Sequence, residues 1–279
     1  MIRKPAVAGL FYDDEPASLK KRIEWCFQHK LGPGEMPSMG EKHQLKGIVA
    51  PHAGYIYSGP IAAHSYYKLV EDGFPETFII LCPNHTGTGS AVSLMSEGEW
   101  QTPLGSVMID EEFSKNLISN SNIIDTDPQS HLQEHSCEVH LPFLQYFQSD
   151  FKIVPLSMWM QDEETSQEIG ISIAKTAKNL DKRIMIIAST DFTHYQPQET
   201  ASYNDHLLLE DIAQLNELDM YNHIRQYNIS MCGYGPVAAT IIASKKLGAK
   251  QGDILKYATT GDITGDYSSV VGYGSLIFK

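Results

Sequence analysis

The chain has 279 residues, with 21 Lys and Arg against 34 Asp and Glu, for a formal net charge of -13. A surface this acidic repels polyanions, which argues against nucleic acid and anionic membranes as partners and leaves a small molecule or a protein or peptide. With 42% hydrophobic and only 20% charged residues, the chain has the material for a large buried core, and a single domain over residues 1–279 is the simplest division.

The opening MIRKPAVAGLFYDDEP has too short an apolar stretch for a signal peptide. No later segment approaches the roughly 18 apolar residues of a spanning helix, so a cytoplasmic protein is expected. PASLKKRIEWCFQH has helical spacing, and the Gly- and Pro-rich LGPGEMPSMGEK (31–42) links it to a first core strand, KGIVA (46–50). GPIAAHSYYKLV follows as a helix, with Ser58 as its expected N-cap and Pro60 near its first turn.

Strand-like runs then recur: TFIILC (77–82), AVSLM (91–95), KIVPLSM (152–158), RIMIIA (183–188), ILKYAT (254–259) and VVGYGSLIF (270–278). Between them lie the helical patterns TSQEIGISIAKTAKNL, SYNDHLLLEDIAQLNE and GPVAATIIASKKLGA. Strands alternating with helices predict an α/β fold, a central sheet flanked by helices on both sides. The sheet should be mixed, because the last two runs can pair as a hairpin.

Three of the strands end in loops that carry histidine. KGIVA runs into PHAGYIYSG with His52, TFIILC into PNHTGTGS with His85, and RIMIIA into STDFTHY with Asp191 and His194. In open α/β sheets the ligand crevice lies outside the carboxyl ends of strands, so these loops are expected to share one site, with Asn84 and Tyr55 lining it. A lone loop histidine is more often a surface or capping residue, and His29, His43, His64, His206 and His223, on helices or in the linker, are read that way.

Cys232, in MCGYGPVAAT, sits just ahead of a helix, where the dipole and free N–H groups favour a thiolate able to act as nucleophile or ligand; a small buried residue in a tight turn is the plainer alternative. The four cysteines, Cys26, Cys82, Cys137 and Cys232, lie far apart with no CxxC pair and are expected to be reduced. QEHSCEVHLPFL carries His135, Glu138 and His140, and on a helix His135 and Glu138 would share a face and could line the pocket. Asp262 and Asp266, in TTGDITGDY, fit either a pocket wall or tight acidic turns.

Taken together, RKPAVAGLFY, APHAGYIYSG, CPNHTG, EHSCEVHLPFL, STDFTHY, CGYGP and TTGDITGDYSSVVGYGS resemble the Memo family, which includes protein B of the AmmeMemoRadiSam system, from near residue 3 to the C-terminus. The resemblance implies a fold like that of the class III extradiol dioxygenases. It also implies a metal triad of His52, His85 and Cys232, with Asp191 and His194 lining the same pocket. One metal ion is expected, iron first, with copper or zinc competing at a site that has a thiolate in place of a carboxylate.

His194 is then the expected acid or base, with Asp191 fixing its tautomer or bonding metal-bound water, in an oxidoreductase of unknown substrate. A zinc- or Cys232-dependent hydrolase and a non-catalytic phosphopeptide-binding module are the alternatives. The family also implies pathway partners of radical-SAM and AMMECR type.

Overall fold

Four strands whose every residue is buried, or all but one, form the centre of the molecule in the computed structural model, which describes all 279 residues. They are β2 (Gly47–Ala50), β3 (Thr77–Pro83), β8 (Lys152–Met158) and β9 (Ile184–Ser189). They lie side by side in the order β8-β3-β9-β2 and run parallel. A parallel strand covered on both faces has no solvated side, and that is why these segments read as unbroken apolar runs without alternation.

Successive side chains still leave on opposite faces. Ile48, Ala50, Phe78, Ile80 and Ile187 enter one core, shared with α1 (Pro16–Gln28), α2 (Tyr55–Asp72) and α4 (Leu141–Phe147). Ile79, Leu81, Val154 and Ile186 enter another, shared with α3 (Glu111–Ser119), α5 (Glu163–Asn179) and α8 (Tyr234–Lys246). Val49 and Ala188 face a third, built with α6 (Gln198–Ala213) and α7 (Glu217–Tyr227).

The remaining strands extend the sheet. β1 (Ile2–Arg3), β5 (Glu99–Thr102) and β6 (Gly105–Ile109) continue it beyond β8, while β4 (Val92–Leu94) pairs antiparallel with β8 and carries β7 (Asp125–Thr126). On the other side β12 (Val270–Phe278) pairs antiparallel with β2, with β11 (Gly252–Thr259) and with β10 (His194–Gln196). α9 (Thr260–Thr264) joins β11 to β12. The α/β fold with a mixed, helix-flanked sheet and a terminal hairpin is therefore the one expected.

Two local expectations need correction. The helix carrying Pro60 begins at Tyr55, not at Ser58: Gly54 is its N-cap, Pro60 lies inside it, and the Ser58 hydroxyl donates to the Ala53 carbonyl. Cys82 and Cys137 are joined in a disulfide, with Cα atoms 5.6 Å apart. They are 55 residues apart in the chain, so spacing carried no sign that the end of β3 would meet the segment ahead of α4.

Candidate metal centre

The crossover from β2 through α2 to β3 skips one place in the sheet, and β9 fills it. The carboxyl ends of β3, β9 and β2 are therefore neighbours, Ala50 lying opposite Ser189 and Leu81 opposite Ala188. This brings the loops bearing His52, His85, Asp191 and His194 together at one edge, where a ligand crevice is expected.

His52 is 2% exposed, and its protonation follows from its neighbours. Its Nδ1 lies 2.7 Å from the Ser189 hydroxyl, and that hydroxyl donates its only proton to the Ser136 carbonyl at 2.7 Å. Ser189 must then accept from His52, so Nδ1 carries the hydrogen and Nε2 keeps a lone pair. That lone pair belongs to the nitrogen 3.3 Å from Cys232 Sγ and 3.9 Å from an Asp191 oxygen. The other Asp191 oxygen accepts the His52 backbone N–H at 2.9 Å.

Cys232 reaches this point because Gly233 packs flat on the end of β9. A Cβ at Gly233 would stand 2.2 Å from the Ser189 carbonyl oxygen, closer than any real contact. The thiol is not activated in the expected way. The first N–H groups of α8 are taken by other oxygens, Gly233 N–H by Thr190 Oγ at 3.0 Å and Gly235 N–H by Gln161 at 2.9 Å. Desolvation, with the Asp191 charge behind it, pushes the Cys232 thiol up, even though the Asp191 N–H points at the sulfur from 3.2 Å.

His85 stands on the open side, its side chain 34% exposed, gripped by Glu134 through its backbone N–H at 2.6 Å and its Nδ1 at 2.9 Å. His135 stacks on it with ring centres 4.7 Å apart and lies 5.4 Å from His52. One ligand atom each from His52, His85 and Cys232 falls within a 4.8 Å cluster, and so does one each from His85, Glu134 and His135. Two imidazoles and a thiol this close, one of the rings with its lone pair assigned, form a donor set suited to a borderline or soft transition metal.

Burial sets the charges around them. Desolvation raises Asp191 to about 6 and lowers His135 to about 4. It also pushes Glu134 upward, but the His85 and Ser136 hydrogen bonds outweigh it and hold that carboxyl at about 2. His194 sits at the rim, half-buried; its Nδ1 bonds the Ser230 carbonyl at 2.8 Å, so the expected Asp191–His194 tautomer bond is not formed.

Of the other candidates, only His135 joins the cluster. Asn84 spends its side chain inside its own loop, accepting from Thr86 and Gly87 and donating to the Thr88 carbonyl. The Tyr55 hydroxyl donates to the Val139 carbonyl at 2.6 Å, and the Glu138 carboxylate is filled by Arg3, Tyr12 and the Ala6 and Val7 N–H groups. His140 meets Tyr66 at 2.6 Å. Asp262 closes a capping box at α9 and Asp266 bonds Ser268, as acidic turns do. Sequence reasoning passed over Glu134 and Ser136; the only signal was an acid directly beside His135 in the chain.

Residues 3–277 match the model of the family described as Memo-like protein. A MEMO1 family protein of Methanothermobacter thermautotrophicus is 56% identical over 99% of this chain and 100% of the relative. One from Methanocaldococcus jannaschii is 54% identical over 100% of this chain and 99% of its own. The crystal structure of an uncharacterized protein from Escherichia coli K12 superposes with a TM-score of 0.56 at 14% identity, covering 84% of this chain and 100% of that one, a likeness of fold. A family match over nearly the full length, with relatives above half identity, means that this chain belongs to the Memo-like family.

Proposed function

We propose that the protein is a mononuclear metal-dependent oxidoreductase in which His52, His85 and Cys232 hold one ion, iron in the first instance. The observation that carries this reading is the His52 tautomer: the Ser189–Ser136 relay leaves the Nε2 of a buried imidazole unprotonated beside the Cys232 sulfur. A neutral thiol 3.3 Å from that nitrogen makes only a weak hydrogen bond, whereas a cation would draw both lone pairs and the thiolate together. Bound iron would supply electron exchange and open coordination positions for oxygen or a small-molecule or peptide substrate.

The surrounding residues handle protons. Asp191, raised to about 6, can hold or release one near neutrality at the carboxylate beside His52. His194, with its Nδ1 committed to Ser230, offers Nε2 at the rim. A phosphopeptide pocket is less well supported, since no Lys or Arg side chain bonds these histidines while two carboxylates do face them. The raised thiol likewise weighs against Cys232 as a metal-free nucleophile.

Elemental analysis of protein purified without oxygen and without metal-charged resin tests this. Near-stoichiometric iron, or copper, that disappears in His52→Ala and Cys232→Ala is the expected result. Zinc alone moves the hydrolase to the front. No metal in the wild type after reconstitution overturns the reading.

A further inference from the structure

Glu134 is acceptor-only, fully buried, and receives four hydrogen bonds. Oε2 takes the His85 backbone N–H at 2.6 Å; Oε1 takes His85 Nδ1 at 2.9 Å, the Ser136 N–H at 2.9 Å and the Ser136 hydroxyl at 2.7 Å. A carboxylate with no proton of its own leaves His85 one neutral form in which this bond exists, the Nδ1–H tautomer with Nε2 bare. The paired grip also fixes the ring against its own backbone, which a partner on the ring alone would not do.

The same segment serves His52. Ser136 gives its N–H to Glu134 and its carbonyl to Ser189, and Ser189 accepts from His52. Residues 134–136 thus set the tautomers of two imidazoles that come from different strands, and the Cys82–Cys137 disulfide ties that segment to the strand leading into His85.

We propose that Glu134 is a positioning residue, which holds His85 as the Nδ1–H tautomer and reserves its Nε2 for an ion shared with His52 and Cys232. The inference rests on the metal-binding reading above and adds to it a residue that touches no metal itself. A carboxylate behind a ligating histidine orients the ring and raises its basicity, and losing one typically weakens metal binding 10- to 100-fold, to about that order.

Two measurements on wild type, Glu134→Gln and Glu134→Asp separate the possibilities. Proton–nitrogen NMR of the metal-free protein at neutral pH reads the His85 tautomer, and Co(II) titration followed by absorbance reads affinity and ligand geometry. The expected result is one His85 tautomer in the wild type and a mixture in Glu134→Gln, with Co(II) affinity down by about 10- to 100-fold. Glu134→Asp, which keeps the charge, should recover part of both.

A wild type whose His85 is the Nε2–H form or a mixture overturns the inference whatever the metal does. Equal Co(II) affinity and spectrum in wild type and Glu134→Gln overturns it and leaves the metal reading standing. Absence of Co(II) binding in a wild type with the expected tautomer overturns the metal reading, and the positioning role with it.

Discussion

Glu134 and Glu138 lie four residues apart, both with side chains wholly out of solvent, and their partners differ in kind. Glu138 is closed off: the Arg3 guanidinium, the Tyr12 hydroxyl and the Ala6 and Val7 N–H groups fill both oxygens, and Arg3 itself lies 4.2 Å over the Trp100 ring. Glu134 holds a histidine whose far side is exposed and close to a second imidazole and a thiol. Burial and charge are common to both, so neither marks a site. Ligand atoms that converge do: those of His52, His85 and Cys232 come together, whereas the unpartnered Nδ1 of His131 beside Arg3 joins no such cluster.

The largest effect should come from breaking the closed side. Glu138→Ala leaves Arg3 buried without its counter-charge, which costs about 3–5 kcal/mol in urea denaturation and frees the N-terminal segment to protease. Glu134→Gln, which keeps an oxygen for one donor, should cost about 1–2 kcal/mol. In Arg3→Met with Glu138→Leu the loss should fall short of the sum of the single losses by about 2 kcal/mol, because no charge is stranded. Equal losses for Glu138→Ala and Glu134→Gln would break the division between the two carboxylates.

The two regions should also respond to pH with opposite sign. His131, whose carbonyl accepts from Arg3, is lowered by desolvation to about 4 from its usual 6.5. Between those values the unfolded chain binds a proton that the folded one refuses. The stability is therefore complete above about 6.5 and is lost as pH falls toward 4, to about 3 kcal/mol at 1.36 kcal/mol per unit. Asp191 behaves in the reverse way: raised to about 6 from 3.8, its contribution is present below 3.8 and is lost as pH rises through 6. In metal-free protein, His131→Phe should flatten the acid limb of a stability-against-pH curve. Asp191→Asn should gain relative to wild type between pH 4 and 7. The same sign for both variants would contradict the comparison.

How much of this was legible in the chain depends on the range of the cause. Fully buried strands write themselves as apolar runs, and KIVPLSM and VVGYGSLIF match β8 and β12 end to end. EWQT and GSVMI, half-exposed at the edge, carry too few buried positions to show and were missed. The three histidine loops were visible because topology alone gathers strand ends. The tautomer relay was not, since Ser189 and Ser136 meet across 53 residues. Pairing His135 with Glu138 requires that residues 133 to 140 be helical. The segment has only a short 3-10 turn at Glu138–His140, so His135 and Glu138 share no face and the adjacent acid is the one that counts.

The smallest effect is the sharpest test of where the site ends. Asn84 precedes His85, is 6% exposed, and is a natural candidate for a pocket wall. Its oxygen instead accepts from the Thr86 N–H, the Thr86 hydroxyl and the Gly87 N–H, each at 3.0 Å, and its nitrogen donates to the Thr88 carbonyl at 2.8 Å. Asn84→Asp preserves the three acceptor bonds and loses only the donor, a cost of about 1 kcal/mol in thermal unfolding. Because both polar atoms of the Asn84 side chain face its own loop, Co(II) bound to the variant should absorb as it does in the wild type. A shifted spectrum with unchanged stability would mean that Asn84 faces the ion after all. The boundary between loop scaffold and site would then have to be drawn one residue earlier in the chain, at Pro83.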